Sequence, residues 1–199
     1  PASQPQPAGE PQAAPSPAVP DSEPDLSPTN PHHALIALRR KVEPEDVLQV
    51  IAAARGDAIC VPTMTTSPAW RTIAPDDLSV GCVGFMGGAS SMGLGLALAR
   101  PDRRGIVLDG DGSLLMQLGS LATNAGAAPR NFVHLLFKNG VYHTSGAQGI
   151  PGGFSVDFVL MAKGAGYRQA LSIDTLDDFK RRLPELLRAE GPVFVELHT

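Results

Sequence analysis

Cysteine, aromatic residues and surplus positive charge are all scarce in this chain, and each shortage excludes a class of protein. The two cysteines, Cys60 and Cys82, have neither metal-ligand nor CxxC spacing, so they are expected to be small, reduced core residues. Aromatic residues make up 5% of a chain that is 43% hydrophobic, so the core must be largely aliphatic. A net charge of −4 at pH 7 argues against nucleic acid or an anionic membrane as the main partner.

Targeting and membrane-spanning patterns are also missing from the sequence. No apolar run approaches the roughly 20 residues that cross a bilayer. The N-terminus is rich in proline, glutamine and alanine, without the basic and then apolar pattern of a signal peptide. Together with the sparse cysteines, these features predict a cytoplasmic protein.

Residues 1–31 differ in composition from the rest of the chain. They hold 10 of the 19 prolines, and four acidic residues with no basic one. Because this segment carries −4 and the whole chain also carries −4, residues 32–199 are neutral overall. Such a composition cannot bury a core. It predicts a disordered, Pro/Ala-rich linker or tail over residues 1–31 and one folded domain over residues 32–199.

The folded part alternates helix-like and strand-like segments. Helices are predicted from Pro44 to a stop at Gly56, over 92–100, 114–124 and 158–165, and from Thr175, with Asp174 as its cap and a kink or break at Pro184. Strands are predicted over 58–61, 106–108, 132–137, 167–171 and 192–197, with a weaker one over 80–83. Short apolar strands that alternate with helices predict an α/β fold, a three-layer sandwich with a parallel sheet flanked by helices.

Polar turns follow two of these strands. Gly110-Asp111-Gly112-Ser113 comes after the apolar run 105–108, and Lys138-Asn139-Gly140 begins 26 residues after Gly112, directly after the run 132–137. Because neighbouring parallel strands end at the same edge of a sheet, Asp111 and Asn139 are expected to converge. Carboxylate and amide oxygens suit a magnesium ion that takes its other ligands from a diphosphate and water.

Each turn has a simpler explanation when it is taken alone. Asp111 could cap a helix, and Asn139-Gly140 could be an ordinary turn at the end of a strand. A calcium loop of the EF-hand type is excluded, because its sixth and twelfth positions would be Leu114 and Ser120 where glycine and glutamate are needed. The spacing of the two turns, together with a glycine-rich segment upstream, favours a cofactor site.

That glycine-rich segment, residues 84–99, follows a strand-like run and leads into a helix. It also permits a dinucleotide-binding interpretation, in which Asp109, 21 residues after Gly88, would bind a ribose hydroxyl. The glycines do not have the G-x-G-x-x-G spacing, however, and this interpretation leaves Asn139 without a role. It is therefore the weaker alternative.

The glycine-rich segment and the two polar turns make three motifs, whose order and spacing resemble those of thiamine diphosphate enzymes. From about Val47 to Glu196 the chain resembles the sulfopyruvate and phosphonopyruvate decarboxylases. The resemblance implies a thiamine diphosphate-binding fold in which Asp111, Asn139 and the main-chain carbonyl of Val141 hold Mg²⁺ on the diphosphate. It further implies cofactor contacts from Gly110, Gly112, Ser113 and Tyr142. The chain departs from the family pattern at Lys138, where a second asparagine, not itself a ligand, usually stands.

By the same resemblance, the 87–93 segment holds the aminopyrimidine end of the cofactor. The residues implied are Gly88, Ser90, Ser91 and Met92. Met92 would support the bent cofactor, and the Ser90 carbonyl would accept a hydrogen bond from its amino group. The alternative is that Met92 is a core residue, as a lone methionine usually is.

The polar loop over residues 140–148 resembles the loop that covers the cofactor in the sulfopyruvate-type enzymes. His143 in this loop is a candidate catalytic residue that could contact the substrate or transfer a proton, and a solvated loop histidine is an equal alternative. His134 lies inside an apolar strand and is predicted to be a core residue.

The resemblance also implies that one residue of the active site, the activating glutamate, comes from outside this chain. The activating glutamate of these enzymes lies on a pyrimidine-binding domain, which is expected to lie outside this chain. The chain is therefore expected to be one half of a decarboxylase that converts a small 2-oxo acid to an aldehyde. Its partner would be a pyrimidine-binding domain or α subunit in a hetero-oligomer. An acetolactate synthase-like carboligase half and a non-catalytic scaffold of the same fold remain as alternatives.

Overall fold

A parallel sheet forms the middle layer of the part of the chain that the computed structural model describes, residues 40–153 and 155–199. Its strands are β1 (Ile59–Pro62), β2 (Gly105–Gly110), β3 (Phe132–Lys138), β6 (Gln169–Ile173) and β7 (Val193–His198), and β4 (Val141–Tyr142) and β5 (Gln148–Gly149) form a separate antiparallel pair. The sheet order is β1-β2-β3-β7-β6, with every neighbouring pair parallel.

Helices cover both faces of this sheet. They are α1 (Pro44–Ala54), α2 (Thr66–Ile73), α3 (Ala89–Ala99), α4 (Asp111–Met116), α5 (Ser120–Ala127), α6 (Phe158–Ala165) and α7 (Leu176–Arg188). Because successive strand residues point to opposite faces, Ile106 and Leu108 pack with α1, α2 and α7, whereas Val107 packs with α3 to α6. The predicted three-layer α/β sandwich is confirmed.

Two helix predictions need correction. The helix predicted over 114–124 is two helices, α4 and α5, because the chain leaves the helical conformation at Gln117 and turns before Ser120. The cap of α7 is Thr175 and not Asp174, since Thr175 is the last extended residue and its hydroxyl accepts a hydrogen bond from the Asp178 amide. Pro184 lies within α7 without breaking it.

Smaller differences concern the ends of elements. The weak strand predicted over 80–83 is absent from the described structure, where isolated bridges join Ser79 to Cys60 of β1 and Cys82 to Thr63, the residue after β1. Helix α3 begins at Ala89, earlier than the predicted start, so the glycine-rich segment is partly helical. Sequence periodicity locates elements more reliably than their first and last residues.

The linker predicted over residues 1–31 lies outside the described residues, as do residues 32–39 of the predicted domain. Within 40–153 and 155–199, no helix combines the length and the apolar character needed to span a bilayer.

Candidate functional site

The turns after β2 and β3 meet at the carboxyl edge of the sheet. In the parallel register Gly110 lies opposite Phe137, so the residues that follow these strands start side by side. The Gly140 amide donates a 2.7 Å hydrogen bond to Asp111 Oδ2, and the Val141 amide donates a 3.0 Å bond to Asn139 Oδ1. The carboxylate and the amide therefore converge as the sequence predicts.

Asp111 is a buried carboxyl group held by backbone amides. Only 2% of its surface is exposed, and its Oδ1 accepts a 2.8 Å hydrogen bond from the Gly112 amide. Burial raises the pKa of Asp111 to about 6, although the amides of Gly140, Gly112 and Asn139 oppose this rise. The helix cap is Gly110 and Asp111 is the first helical residue, so the capping alternative does not describe it. A bound cation would favour the ionised carboxylate.

A cavity of about 30 Å³ lies between the two turns. It is lined by all the residues predicted on them, namely Gly110, Asp111, Gly112, Ser113, Asn139, Val141, Tyr142 and His143. The four residues predicted on the glycine-rich segment, Gly88, Ser90, Ser91 and Met92, do not line it. The structure thus brings the predicted residues of the two turns together at one cavity, whereas the predicted residues of the glycine-rich segment lie outside its lining.

The glycine-rich segment reaches the turn after β2 through its backbone. The Gly87 amide donates a 3.0 Å hydrogen bond to Ser113 Oγ. Ser90 lies fully buried in the first turn of α3, where its hydroxyl bonds the Ser120 hydroxyl at 2.9 Å. Met92 is half-buried against the core, and Ser91 is exposed. Contacts between these residues and a cofactor stay predictions.

A third turn, after β1, belongs to the same edge and was missed by the sequence reasoning. Met64 and Thr65 line the small cavity and also an adjoining cavity of about 210 Å³. Met64 has a φ of 39°, a conformation that is costly for a residue with a side chain and that is often found at functional sites. The available signal was the hydroxyl-rich run 63–66, which directly follows a strand just as the other two turns do.

The 140–153 loop packs directly on the turn after β2. A Cβ atom on Gly112 would lie 2.6 Å from Tyr142 Cε1 and 3.0 Å from Ile150 Cγ2, so only glycine permits this approach. His143 is exposed, begins a short 3-10 turn and lines both cavities. It is therefore placed to meet a ligand that enters from solvent.

His134 is a core residue, as predicted, but it has a polar partner. Its Nε2 lies 3.1 Å from Asp109 Oδ2, and both side chains are fully buried. The other oxygen of Asp109 accepts a 2.9 Å hydrogen bond from the Gly110 amide. Asp109 therefore faces the core beneath the turn, whereas Asp111 faces the cavity above it.

The protein ligands available at this edge suit a cation that takes its remaining oxygen ligands from a bound phosphate group and water. Over residues 40–153 and 155–199 no group of three or more His, Cys, Asp or Glu residues is placed to hold a metal ion. One carboxylate, one amide and main-chain carbonyls cannot complete an octahedron, but Mg²⁺ commonly takes one or two protein carboxylates together with phosphate oxygens and water. The site therefore fits a magnesium diphosphate group.

Comparisons with known proteins agree with the diphosphate part of this fit. The family described as thiamine pyrophosphate enzyme, C-terminal TPP binding domain, matches residues 60–197. The phosphonopyruvate decarboxylase of Streptomyces hygroscopicus is 41% identical over 70% of this chain and 34% of its own length. The sulfopyruvate decarboxylase subunit beta of Methanothermobacter thermautotrophicus is 40% identical over 58% of each chain.

The fold is also similar to solved structures. The thiamine diphosphate-dependent 4-hydroxybenzoylformate decarboxylase of Rhodococcus jostii RHA1 superposes with a TM-score of 0.68 at 28% identity, covering 79% of this chain and 32% of that one. The chain thus spans about a third of the length of this structure and of the phosphonopyruvate decarboxylase. The family match covers most of the sheet and the three turns at its edge. The chain belongs to the thiamine pyrophosphate enzymes, in which it corresponds to the C-terminal TPP-binding domain.

Proposed function

We propose that this chain is the diphosphate-binding half of a thiamine diphosphate- and magnesium-dependent decarboxylase that acts on a small 2-oxo acid. The observation that carries the proposal is the convergence of Asp111 and Asn139 on one cavity at the ends of β2 and β3. Relatives named phosphonopyruvate and sulfopyruvate decarboxylase, at about 40% identity, support this substrate class.

The residues around the cavity would bind and orient the cofactor. Asp111, Asn139 and the main-chain carbonyl of Val141 would hold Mg²⁺, and the backbone of 110–113 would approach the diphosphate closely because two of its four residues are glycine. When bound, thiamine diphosphate supplies the electron sink that a 2-oxo acid needs to lose carbon dioxide. His143 is exposed beside the cavity, so it could hold or transfer a proton at the substrate.

A second domain would complete the site. The name "subunit beta" of a relative that this chain matches implies another subunit in that protein. Exposed apolar residues suited to such a partner lie close in the chain to residues of the site. Val83 and Phe85 precede Met86, which lines the cavity, and Met116 ends α4, and the three are exposed by 63%, 55% and 52%. We infer that a pyrimidine-binding domain or α subunit covers these residues and supplies the activating glutamate.

Calorimetry on the purified chain would test cofactor binding. We expect thiamine diphosphate to bind in the presence of Mg²⁺ and to bind much more weakly when the cation is removed with EDTA, because the metal links the diphosphate to Asp111 and Asn139. Thiamine without the diphosphate is the matched control ligand. Equal affinity with and without Mg²⁺ would contradict the proposed ligand set.

A second measurement would test the division of the active site. The chain alone should release no carbon dioxide from sulfopyruvate or phosphonopyruvate, and activity should appear when a pyrimidine-domain partner is added. Decarboxylation by the chain alone would disprove the divided site. Cofactor binding with no activity under any pairing would favour a non-catalytic scaffold.

A further inference from the structure

Lys138 holds together two ends of the loop that packs on the candidate site. It is the last residue of β3 and precedes Asn139. Its Nζ donates a 2.9 Å hydrogen bond to the Val156 carbonyl and lies 3.2 Å from Glu196 Oε2 on β7. It also lies 5.4 Å from the centre of the Phe158 ring. With 11% of its side chain exposed, Lys138 is far more buried than a lysine usually is.

The loop between these points is folded back on its own start. The Ile150 amide donates a 3.1 Å hydrogen bond to the Gly140 carbonyl, and Val141 pairs with Gly149 in a short antiparallel ladder. A Cβ atom on Gly153 would lie 2.7 Å from the Gly140 carbonyl oxygen, so the returning limb touches the turn that carries Asn139. The hydrogen bond from Lys138 to Val156 therefore joins the chain just after the 140–153 loop to the end of β3, just before that loop.

We propose that Lys138 is a positioning residue that holds the 140–153 loop against the turn after β2 and so fixes Asn139, Tyr142 and His143 at the cavity. Lys138 does not itself line that cavity. Its bond closes the loop across 18 residues, which reduces the conformational entropy that a bound ligand would otherwise have to remove. The part of this inference that concerns cofactor affinity rests on the proposed function, whereas the ordering of the loop does not.

A simpler role for Lys138 would be to neutralise the buried Glu196. Glu196 is 5% exposed, and its second oxygen lies 3.1 Å from His198 Nε2. Removing the lysine alone would leave this carboxylate without one of its partners, which is costly in a protein interior. The two roles can be separated because Lys138 bonds the loop and the glutamate through different contacts.

Four variants distinguish these roles. Lys138→Met keeps the side-chain stem and removes every donor. Glu196→Gln removes the charge partner and leaves the bond from Lys138 to Val156. The double variant Lys138→Met/Glu196→Gln removes the bond without leaving an unpaired buried charge, so it should fold even if Lys138→Met does not. Lys41→Met breaks an exposed pair with Asp174 and serves as the control.

Hydrogen exchange followed by mass spectrometry on the unliganded chain is the primary measurement. We expect faster exchange over 140–153 in Lys138→Met and in the double variant, with β2 and β3 unchanged. Glu196→Gln and Lys41→Met should match the wild type. With Mg²⁺ present, both variants that lack Lys138 should bind thiamine diphosphate roughly tenfold more weakly, which is the effect of losing one hydrogen bond to a charged group.

The inference would be overturned if the double variant kept wild-type exchange over 140–153, because Lys138 would then only neutralise Glu196. It would also be overturned if the loop exchanged faster but cofactor affinity did not change. If the wild-type chain bound no cofactor, the proposed function would fail, and the exchange comparison would still decide whether Lys138 orders the loop.

Discussion

Two aspartates separated by one glycine have different environments and different expected roles. Asp109 ends the buried part of β2, where strand alternation directs it towards α3 to α6 and His134. Asp111 follows the change from strand to helix, which turns its carboxyl group towards the cavity. One residue therefore supports the turn from below, and the other offers an oxygen atom to a ligand.

Substitution of the two aspartates should separate binding from stability. Asp111→Ala is expected to abolish magnesium-dependent binding of thiamine diphosphate, because Asp111 is the one carboxylate among the described residues that line the cavity. Asp109→Ala should reduce affinity less and instead lower the free energy of unfolding by about 1–3 kcal/mol, since it removes the partner of the buried His134 Nε2 and leaves His134 with its contact to the Tyr167 hydroxyl. Calorimetry and urea unfolding measure the two effects. Loss of binding in Asp109→Ala alone, with Asp111→Ala still binding, would favour the dinucleotide interpretation.

Asp111 should also make the stability of the cation-free chain depend on pH. Its pKa is raised from an ordinary 3.8 to about 6, so the folded state favours the protonated carboxyl group. The contribution of Asp111 to the free energy of unfolding is complete below about pH 4 and is lost as the pH rises through about 6. The change is on the order of 3 kcal/mol.

Asp111→Asn is the matched variant for this test, because it keeps an acceptor oxygen for the Gly140 amide. The variant loses the bond from the Gly112 amide at every pH, so the test is how the difference in stability changes with pH. Urea unfolding in EDTA should show the wild type losing stability relative to the variant, by on the order of 3 kcal/mol, as the pH rises from 4 to 7. A difference that did not change with pH would show that folding does not raise the pKa of Asp111.

At the scale of elements, the close approach of α3 to the sheet fixes the position of the glycine-rich segment. A Cβ atom on Gly93 would overlap a methyl group of Val107 and would lie 3.1 Å from Phe132 Cε2. Gly95, two residues along the same helix, has no atom within 4 Å of such a Cβ. The first glycine is therefore required by packing, and the second is not.

Alanine at these two positions should have opposite effects. Gly93→Ala should lower the free energy of unfolding by about 1–3 kcal/mol, because it forces α3 away from β2. Gly95→Ala should raise it by up to about 1 kcal/mol, since alanine favours the helical conformation. Thermal unfolding of the two variants beside the wild type checks both signs. A destabilised Gly95→Ala would show that this side of α3 is in contact with something in solution.

At the scale of the whole molecule, one edge of the sheet carries the candidate site and the rest of the fold supports it. The turns after β1, β2 and β3 all open at the carboxyl edge, where ligands bind in open α/β sheets. The opposite edge and both helix layers contribute the aliphatic core that holds these turns in place. The folded domain should therefore not need the proline-rich segment that precedes it.

Removal of residues 1–31 tests this expectation. A chain that begins at residue 32 should melt within about 2 °C of the 199-residue chain, because a proline-rich acidic segment cannot bury a core. Magnesium-dependent cofactor binding should also be unchanged. A fall of several degrees would show that the segment docks on the domain.

The sequence alone indicated most of the strands and two of the turns that follow them, because hydrophobic periodicity is local and strands that are consecutive in the chain usually lie side by side. Short apolar runs located β2 and β3, and their parallel arrangement was enough to predict that Asp111 and Asn139 would meet. Gly112, beside Asp111, was informative because only glycine tolerates so close an approach by Tyr142 and Ile150.

Tertiary structure decided which distant segments share this edge and which side chains are withdrawn from it. Nothing local in the run 63–66 shows that it lines the same cavity as Asn139, since that depends on β1 pairing with β2. Likewise, the burial of Ser90 depends on where α3 packs, and the bond from Lys138 to Val156 depends on the path of a loop. Sequence periodicity indicates which face of a helix or strand a residue occupies. Contacts between residues that are remote in the sequence form only when the helix and sheet layers pack together.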